Sequence, residues 1–201
     1  MSEERKDYFE GLYGATDDPY GLRERWYEQR KRAILLASLP REHFRSAYEP
    51  GCGAAELTVE LARRCDAVLA SDFSPKAVAV ARRRTAKLAN VSIEAHSLPV
   101  DWPAAEAPFD LIVLSEVGYF LDPGALQQVA ALCAATLAPD GTLVACDWRP
   151  DFSERAQSTS RVHATLAEIG LPRLVVHAER DFLLQVWSRD RRSVAEREGI
   201  R

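Results

Sequence analysis

Short apolar segments alternate with amphipathic segments along most of this chain. Residues 46–48, 67–71, 91–95, 109–116 and 142–146 are short runs predicted to be strands, and 67–71 is apolar throughout in the way typical of a strand buried on both faces of a parallel sheet. Residues 55–64, 75–88, 123–137 and 154–169 lie after the first, second, fourth and fifth of these runs and are predicted to be helices. This alternation predicts an α/β, Rossmann-like fold, with a mostly parallel sheet and helices on both faces.

The two ends of the chain depart from this alternation. Residues 1–40 are rich in aromatic and charged side chains, and we predict a helical turn at 7–11 and a helix at 22–39 that stops before Pro40. The apolar runs 174–178 and 182–187 are joined by a tight link and predict a closing hairpin, whose last strand would be the antiparallel seventh strand. We expect one domain with a helical N-terminal arm (1–40), a core (41–188) and a charged, frayed tail (189–201).

Composition narrows the class of protein. The 201 residues suit one domain, and 47% hydrophobic and 28% charged residues are ordinary for a soluble globular protein. The formal charge of -4 argues against bulk nucleic-acid binding, which requires a basic face. No run is apolar and long enough to span a bilayer or serve as a signal region. The four cysteines lie far apart without metal-ligand spacing, so we expect reduced thiols, no metal and a cytoplasmic location.

A glycine turn at residues 46–56 is the strongest chemical signal. Gly51 and Gly53 follow a short strand and precede a helix, so the backbone can turn sharply and approach a ligand closely. A dinucleotide loop would require a third glycine at position 56, where this chain has Glu56. A Walker loop would require Gly-Lys-Ser/Thr, which does not follow. The turn therefore suits a ligand without phosphates, and an acid, Glu49, precedes it.

This turn resembles motif I of the class I S-adenosylmethionine (SAM) methyltransferases, acid-x-Gly-x-Gly-x-Gly, with Ala55 at the third glycine. The resemblance implies that Glu49 and the turn Gly51-Cys52-Gly53 hold the methionine part of SAM. It also implies S-adenosylhomocysteine (SAH) as the product. In such enzymes the N-terminal arm often covers SAM, and for this reason Trp26 and Arg30 are candidate cofactor contacts.

The second strand ends at Asp72, 23 residues beyond Glu49. An acid at this point of a nucleotide-binding fold accepts hydrogen bonds from both ribose hydroxyls, and Ser74 before Pro75 already supplies the helix cap. Phe73 is positioned to cover an adenine face. After the third strand the family often has an acid that bonds the adenine amino group. This chain has His96-Ser97-Leu98 there, so Ser97 or the Leu98 backbone is the candidate adenine contact.

The fourth strand opens with Phe109-Asp110-Leu111-Ile112, which resembles motif II of the same family. It ends at Ser115 and Glu116, which are candidates for cofactor binding because ligands bind beyond the carboxyl ends of parallel strands. Glu116 and Asp147, at the ends of the fourth and fifth strands, are the candidate catalytic acids. The remaining candidates, for the acceptor site, are Tyr119, Trp148 and Arg149.

Several short stretches resemble the nodulation N-methyltransferases, which methylate a free amine on a chitooligosaccharide backbone. They are 7–13, 18–21, 26–31, 115–121, 148–150 and 181–187. Asp147 stands where that subfamily often has His. The resemblance implies a small-molecule acceptor with an amine, such as an amino sugar or an oligosaccharide amine. From the charge and the lack of a long apolar run, we expect no nucleic-acid or membrane partner.

The chemistry leaves alternatives open. An ammonium has no lone pair, so a carboxylate at Glu116 or Asp147 would bind the acceptor cation and take its proton. His163 would serve as the base only if its helix turned it inward, and either acid could instead cap a helix or pair with Arg149. A SAM-binding sensor without turnover, methylation of an oxygen, and methylation of RNA or protein also fit the motifs. A dehydrogenase is disfavoured by Glu56. The oligomeric state is left open.

Overall fold

The structure is a computed structural model that describes residues 11–13 and 16–201. Its strands are β1 (Phe44–Pro50), β2 (Cys65–Asp72), β3 (Val91–Ala95), β4 (Phe109–Ser115), β5 (Leu137–Trp148), β6 (Arg173–Ala178) and β7 (Phe182–Ser188). Its helices include α1 (Trp26–Ala37), α2 (Glu56–Leu61), α3 (Pro75–Thr85), α4 (Pro123–Thr136), α5 (Thr159–Ala167) and α6 (Val194–Arg197). Short 3-10 turns lie at Ala104–Glu106 and Gly118–Phe120.

The seven strands form one sheet in the order β3-β2-β1-β4-β5-β7-β6. Neighbours from β3 to β5 pair in parallel, whereas β7 pairs antiparallel with both β5 and β6. The predicted Rossmann-like sheet and its antiparallel last strand are thus confirmed. The chain order reverses between β1 and β4, and a crevice at such a point is where open α/β sheets bind ligands.

Both faces of the sheet are covered, because successive residues of a strand point to opposite sides. Ala47 and Val113 belong to one core cluster, together with Leu35 of α1. Tyr48 and Ile112, one position away on the same strands, belong to the second cluster, which α4 and α5 cover. β1 and β4 are therefore buried on both sides, whereas most residues of the edge strands β3 and β6 are exposed or half-buried.

Several boundaries differ from the sequence prediction; the helix predicted at 22–39, for example, spans Trp26–Ala37. β5 begins at Leu137, which pairs with Phe109, and continues through Pro139-Asp140-Gly141, where a turn was expected; the ladder shifts register in this region. α5 begins at Thr159 instead of residue 154, because the preceding loop folds against Tyr119. The tail forms the short helix α6, closed by a reciprocal capping box between Ser193 and Glu196, instead of a frayed end.

The arm crosses the edge of the sheet where the carboxyl ends of the strands lie. Residues 7–10 of its predicted first turn are outside the described residues, and residues 11–13 are helical. Two ion pairs tie the segment before α1 to the core: Arg23 Nε lies 2.9 Å from Glu56 Oε1, and Arg83 lies 3.1 Å from Asp17. Glu56 also pairs with Arg84 of α3. In the part of the chain that the structure describes, no helix is long and apolar enough to cross a membrane.

Candidate active site

A cavity of about 540 Å3 opens at the carboxyl ends of β1, β2, β4 and β5. It therefore lies at the point where the strand order reverses. Its volume is within the range of small-molecule sites. Of the predicted site residues, the cavity is lined by Glu49, Gly51, Cys52, Gly53, Asp72, Phe73, Leu98, Ser115, Glu116, Tyr119 and Trp148.

The glycine turn forms the floor at one end of this cavity. Gly51 and Gly53 have φ of 73° and 52°, in the left-handed region that favours glycine. A Cβ on Gly51 would lie 2.3 Å from Val117 Cγ2, and one on Gly53 would lie 2.5 Å from the Tyr13 hydroxyl. Ala55, at the third glycine of the motif, also has a positive φ of 62°, which costs a non-glycine residue about 1 kcal/mol. The turn thus needs small residues at all three motif positions.

Asp72 joins the glycine turn to the end of β2. Its Oδ2 accepts a hydrogen bond of 3.0 Å from the Gly53 N–H, and its Oδ1 accepts one of 2.9 Å from the Ser74 N–H. Ser74 caps α3 with its own side chain, as expected, by accepting from the Ala77 N–H. The Asp72 carboxylate is therefore fixed at the cavity wall by two backbone donors and is not needed as the helix cap.

Glu49 lies at the end of β1 and is only 4% exposed, although it faces the cavity. Burial raises its pKa to about 8, against the opposing effect of a hydrogen bond from Thr58, and the nearby negative charge of Asp72 raises it further. The Thr58 hydroxyl donates to Glu49 Oε2 over 2.7 Å. A buried carboxyl beside a cavity gains its charge most readily when a cationic ligand group comes next to it.

Glu116 follows β4 and also lines the cavity, and its backbone has a positive φ of 60°. Three donors surround its carboxylate. The Trp148 N–H donates to Oε2 over 3.0 Å, the Tyr119 hydroxyl donates to the same oxygen, and Lys31 Nζ lies 2.6 Å from Oε1. Burial and the charge of Glu116 hold the pKa of Tyr119 well above its usual range, so the phenol keeps its proton and donates a hydrogen bond to Glu116. Strained backbone of this kind is often found at functional sites.

Lys31 was not among the residues predicted from the sequence. It lies on α1, is 6% exposed, and also approaches Glu28 Oε2 at 3.0 Å. Burial would lower its pKa, but Glu116 and Glu28 outweigh that effect and raise it, so the ammonium keeps its charge. In sequence, a lysine within a charged amphipathic helix looks the same whether it faces solvent or the core. The signal that could have found Lys31 is the stretch 26–31, which resembles the nodulation N-methyltransferases.

An aromatic wall lies beside Glu116. The Tyr119 ring centroid is 5.2 Å from that of Phe152 and 4.7 Å from that of Phe120, and Trp148 packs edge-on against Tyr27 at 5.6 Å. Phe152 and Glu154 also line the cavity, although neither was predicted from the sequence. Glu154 was expected to begin a helix, and Phe152 to precede it. They instead belong to the loop whose Ala156 and Gln157 N–H groups donate to the Tyr119 carbonyl.

Five predicted site residues are not among those that line the cavity. Trp26 is 73% exposed, and Arg30 forms a bidentate pair with Glu179 at 2.6 and 2.9 Å. The Ser97 N–H donates to Asp101, and Arg149 bonds the Glu179 carbonyl. The α1 residues that line the cavity are instead Tyr27, Glu28, Lys31 and Arg32, and those of the segment before α1 include Tyr20, Leu22 and Arg25.

The fifth of these residues, Asp147, is fully buried beneath the cavity. Its Oδ2 lies 3.2 Å from His163 Nε2, in poor alignment for a hydrogen bond, and His163 Nδ1 bonds Gln185 at 2.9 Å. Burial raises the pKa of Asp147, and His163 opposes that rise. Helix α5 therefore turns His163 inward, but toward Asp147 and away from the cavity lining. Among the described residues no group of three His, Cys, Asp or Glu side chains forms a metal site.

Comparison with known proteins identifies the family. A model described as a methyltransferase domain matches residues 47–141. Nodulation protein S of Bradyrhizobium diazoefficiens is 32% identical over 143 residues, which cover 70% of this chain and 68% of that protein. The chain belongs to the nodulation protein S family of SAM-dependent methyltransferases. The family resemblance seen in the sequence is thereby confirmed, and so is SAM as the cofactor of this family.

Two further relatives extend the likeness. Nodulation protein S of Rhizobium tropici is 36% identical over 132 residues, 65% of this chain but only 55% of that protein's length. The crystal structure of the N-methyltransferase NodS from Bradyrhizobium japonicum WM9 with SAH is 28% identical, covers 91% of this chain and 97% of that chain, and superposes with a TM-score of 0.81. The fold of this chain is thus that of a methyltransferase in this family.

The residues of the cavity fit SAM. The turn at Gly51 and Gly53 leaves a cradle that a Cβ at either position would fill with a clash. Beside it lie a buried carboxyl, Glu49, suited to an amino group, and the fixed carboxylate of Asp72, suited to a pair of hydroxyls. A sulfonium cofactor with an amino acid part and a ribose carries both of these groups. The acceptor groups of Glu49 and Asp72 therefore match this cofactor.

Proposed function

We propose that this protein transfers the methyl group of SAM to an amine of a small-molecule acceptor, with Glu116 as the carboxylate that binds the amine. One observation carries the proposal: a carboxylate anchored by three donors lines the same cavity as Glu49 and Asp72 but follows a different strand, β4. The cofactor residues and an acceptor group thus share one cavity. The name N-methyltransferase, borne by the NodS relative, supports an amine as acceptor.

Bound SAM supplies a methyl group that is already activated on a sulfonium, so the protein has mainly to align the nucleophile and remove its proton. A carboxylate offers about four lone-pair sites. Tyr119, Trp148 and Lys31 fill three of those on Glu116, which leaves one for an N–H of the acceptor ammonium. That carboxylate oxygen binds the cation first, and it or an adjacent water takes the proton that frees the nitrogen lone pair.

The aromatic wall supports a carbohydrate or another partly apolar acceptor. The rings of Tyr119, Phe120 and Phe152 are mutually packed beside Glu116, and Arg155 lies over the rings of Tyr119 and Phe152 at 5.5 and 5.2 Å. Such rings offer flat apolar surface to a sugar face and an attractive face to a cation. Glu154 adds a carboxylate at the same end of the cavity.

A matched pair of acceptors tests the proposal. Chitooligosaccharides with one free amine and their fully N-acetylated counterparts would be incubated with SAM, and products would be read by mass spectrometry. We expect methylation of the free amine alone, because an amide nitrogen has no available lone pair. Methylation of both members would indicate transfer to an oxygen. The proposal would be contradicted if neither compound were methylated and no amine in a panel of simple amines were methylated either.

Two variants distinguish between the candidate acids Glu116 and Asp147. Glu116→Gln keeps the shape of the side chain but removes the charge, and we expect turnover to fall by about 100-fold or more. Asp147→Asn makes the same change at the end of β5, beneath the cavity, and we expect turnover to stay within about threefold. The reverse pattern would assign the role to Asp147.

A further inference from the structure

Lys31 on α1 places a buried positive charge next to the Glu116 carboxylate. Its Nζ lies 2.6 Å from Glu116 Oε1 and 3.0 Å from Glu28 Oε2, and 5.2 Å from the centre of the Tyr27 ring. Lysine is rarely buried to this extent unless it is paired. The contact spans 85 positions of sequence and joins α1 to the residue directly after β4.

We propose that Lys31 is a positioning residue for methyl transfer, which fixes the Glu116 carboxylate so that its remaining lone pair faces the acceptor amine. This inference rests on the proposed function. Glu116 has a positive φ, so its side chain leaves the backbone in a direction that few non-glycine residues adopt. The three donors hold it there, and Lys31 is the charged one among them.

The charges around Lys31 also fit this role. Glu28 and Glu116 both face the cavity, and without a cation between them the two carboxylates would repel each other. With Lys31 between them, the group keeps one net negative charge, which an incoming ammonium can neutralise. Loss of Lys31 would both free the Glu116 side chain and change the charge that the acceptor meets.

The neighbouring residue on the helix shows that the placement is specific. Arg30 is a cation one position earlier, but one residue corresponds to a rotation of about 100° around a helix. Its guanidinium therefore points to Glu179 at the end of β6 and not to the cavity. The cation at position 31 is the one that reaches Glu116.

The kinetic test uses Lys31→Met, which keeps the length of the stem but removes the charge. We expect kcat for the amine acceptor to fall by about 100-fold, as a misplaced catalytic group produces, while the KM for SAM stays within about threefold. Lys31→Arg should restore at least about a tenth of the wild-type kcat. Lys87→Met, on an exposed position beyond α3, serves as the matched control and should leave kcat unchanged. A Lys31→Met kcat within about threefold of wild type would overturn the inference.

A second readout needs no acceptor. The Trp148 N–H donates to Glu116 Oε2, so its hydrogen exchange reports whether that carboxylate stays in place. We expect exchange at Trp148 to be about tenfold faster in Lys31→Met and close to wild type in Lys31→Arg. Unchanged exchange would overturn the positioning role, even if kcat fell, because Lys31 would then act on the acceptor directly. If the wild-type protein methylates no amine, the proposed function fails, whereas this exchange measurement still decides whether Lys31 fixes Glu116.

Discussion

The Asp72 carboxylate accepts a hydrogen bond of 3.0 Å from the Gly53 N–H, which ties the end of β2 to the glycine turn after β1. The acid that the family resemblance assigns to the ribose therefore also fixes the turn assigned to the methionine part. A change at either residue disturbs both contacts. Glu116, by contrast, takes its donors from β5, the 3-10 turn after β4, and α1.

Replacing Gly51 by alanine should destabilise the fold both through its backbone conformation and through a clash of the new Cβ with Val117. Gly170→Ala is the control that separates these two effects. The φ of 73° at Gly51 costs alanine about 1 kcal/mol, and the added Cβ would lie 2.3 Å from Val117 Cγ2. Gly170 has a φ of 77° with no atom within 4 Å of its added Cβ, so Gly170→Ala carries the backbone cost alone. We expect Gly51→Ala to lower the free energy of unfolding by about 1–3 kcal/mol more than Gly170→Ala, as measured by urea denaturation.

A second substitution, Val117→Ala, tests the clash itself. In the Gly51→Ala background it should recover part of the lost stability, since it removes the atom that the new Cβ meets. Equal losses for Gly51→Ala and Gly170→Ala would show that the close approach to Val117 has no energetic weight.

Glu49 makes stability depend on pH. Burial raises its pKa in the folded protein to about 8, above the ordinary value of 4.5. Between these values the folded state binds a proton that the unfolded state lacks, so this group's contribution to stability falls as pH rises, by about 1.4 kcal/mol per pH unit, and levels off above the folded pKa. Glu49→Gln keeps an acceptor for Thr58 but does not titrate.

The measurement is urea denaturation of wild type and Glu49→Gln at about pH 5.5 and about pH 7.5. We expect the loss of stability between these conditions to be smaller in the variant by about 2 kcal/mol. The same loss in both proteins would mean that Glu49 is charged in the folded state throughout this range.

The ion pair between Arg23 and Glu56 should slow release of the product. Arg23 belongs to the segment that crosses the cavity, and Glu56 is almost fully buried at the start of α2. Because the Arg23 side chain is 45% exposed, the pair is worth about 1 kcal/mol at most. We expect Arg23→Ala to speed SAH dissociation by up to about fivefold in stopped-flow measurements.

The matched control is Arg83→Ala. Arg83 also pairs with the arm, at Asp17, but both side chains are 62% exposed, so we expect little change in the dissociation rate. Equal acceleration by the two variants would indicate a general loosening of the arm, and no acceleration by Arg23→Ala would mean that this pair does not hold the cavity closed.

The sheet was predictable because its strands are apolar runs that end in chemically distinctive residues. Glu49, Asp72 and Glu116 each follow or end a strand, and parallel strands bring their carboxyl ends to one edge. Ser193 and Glu196 carried a capping-box signal, which the charge of the surrounding tail obscured. The start of β5 was missed because proline and glycine normally mark turns, whereas here the strand passes through them.

The arm could not be assigned in the same way. Which residues of α1 face the cavity depends on the rotation of the helix, and its apolar positions do not determine that rotation to within one residue. Arg30 was therefore chosen where Lys31 reaches Glu116. Phe152 was missed for a different reason: its loop is held by hydrogen bonds to the Tyr119 carbonyl, a contact that no local sequence pattern announces.

Calorimetric titration with SAH tests most directly whether one cavity binds the cofactor beside Asp72 and the acceptor beside Glu116. Asn at position 72 offers one oxygen where both the Gly53 and Ser74 N–H groups need an acceptor, so we expect Asp72→Asn to bind SAH about 100-fold more weakly than wild type. Glu116→Gln should bind SAH within about threefold of wild type. Wild-type affinity in Asp72→Asn, or an equal loss in both variants, would contradict the account.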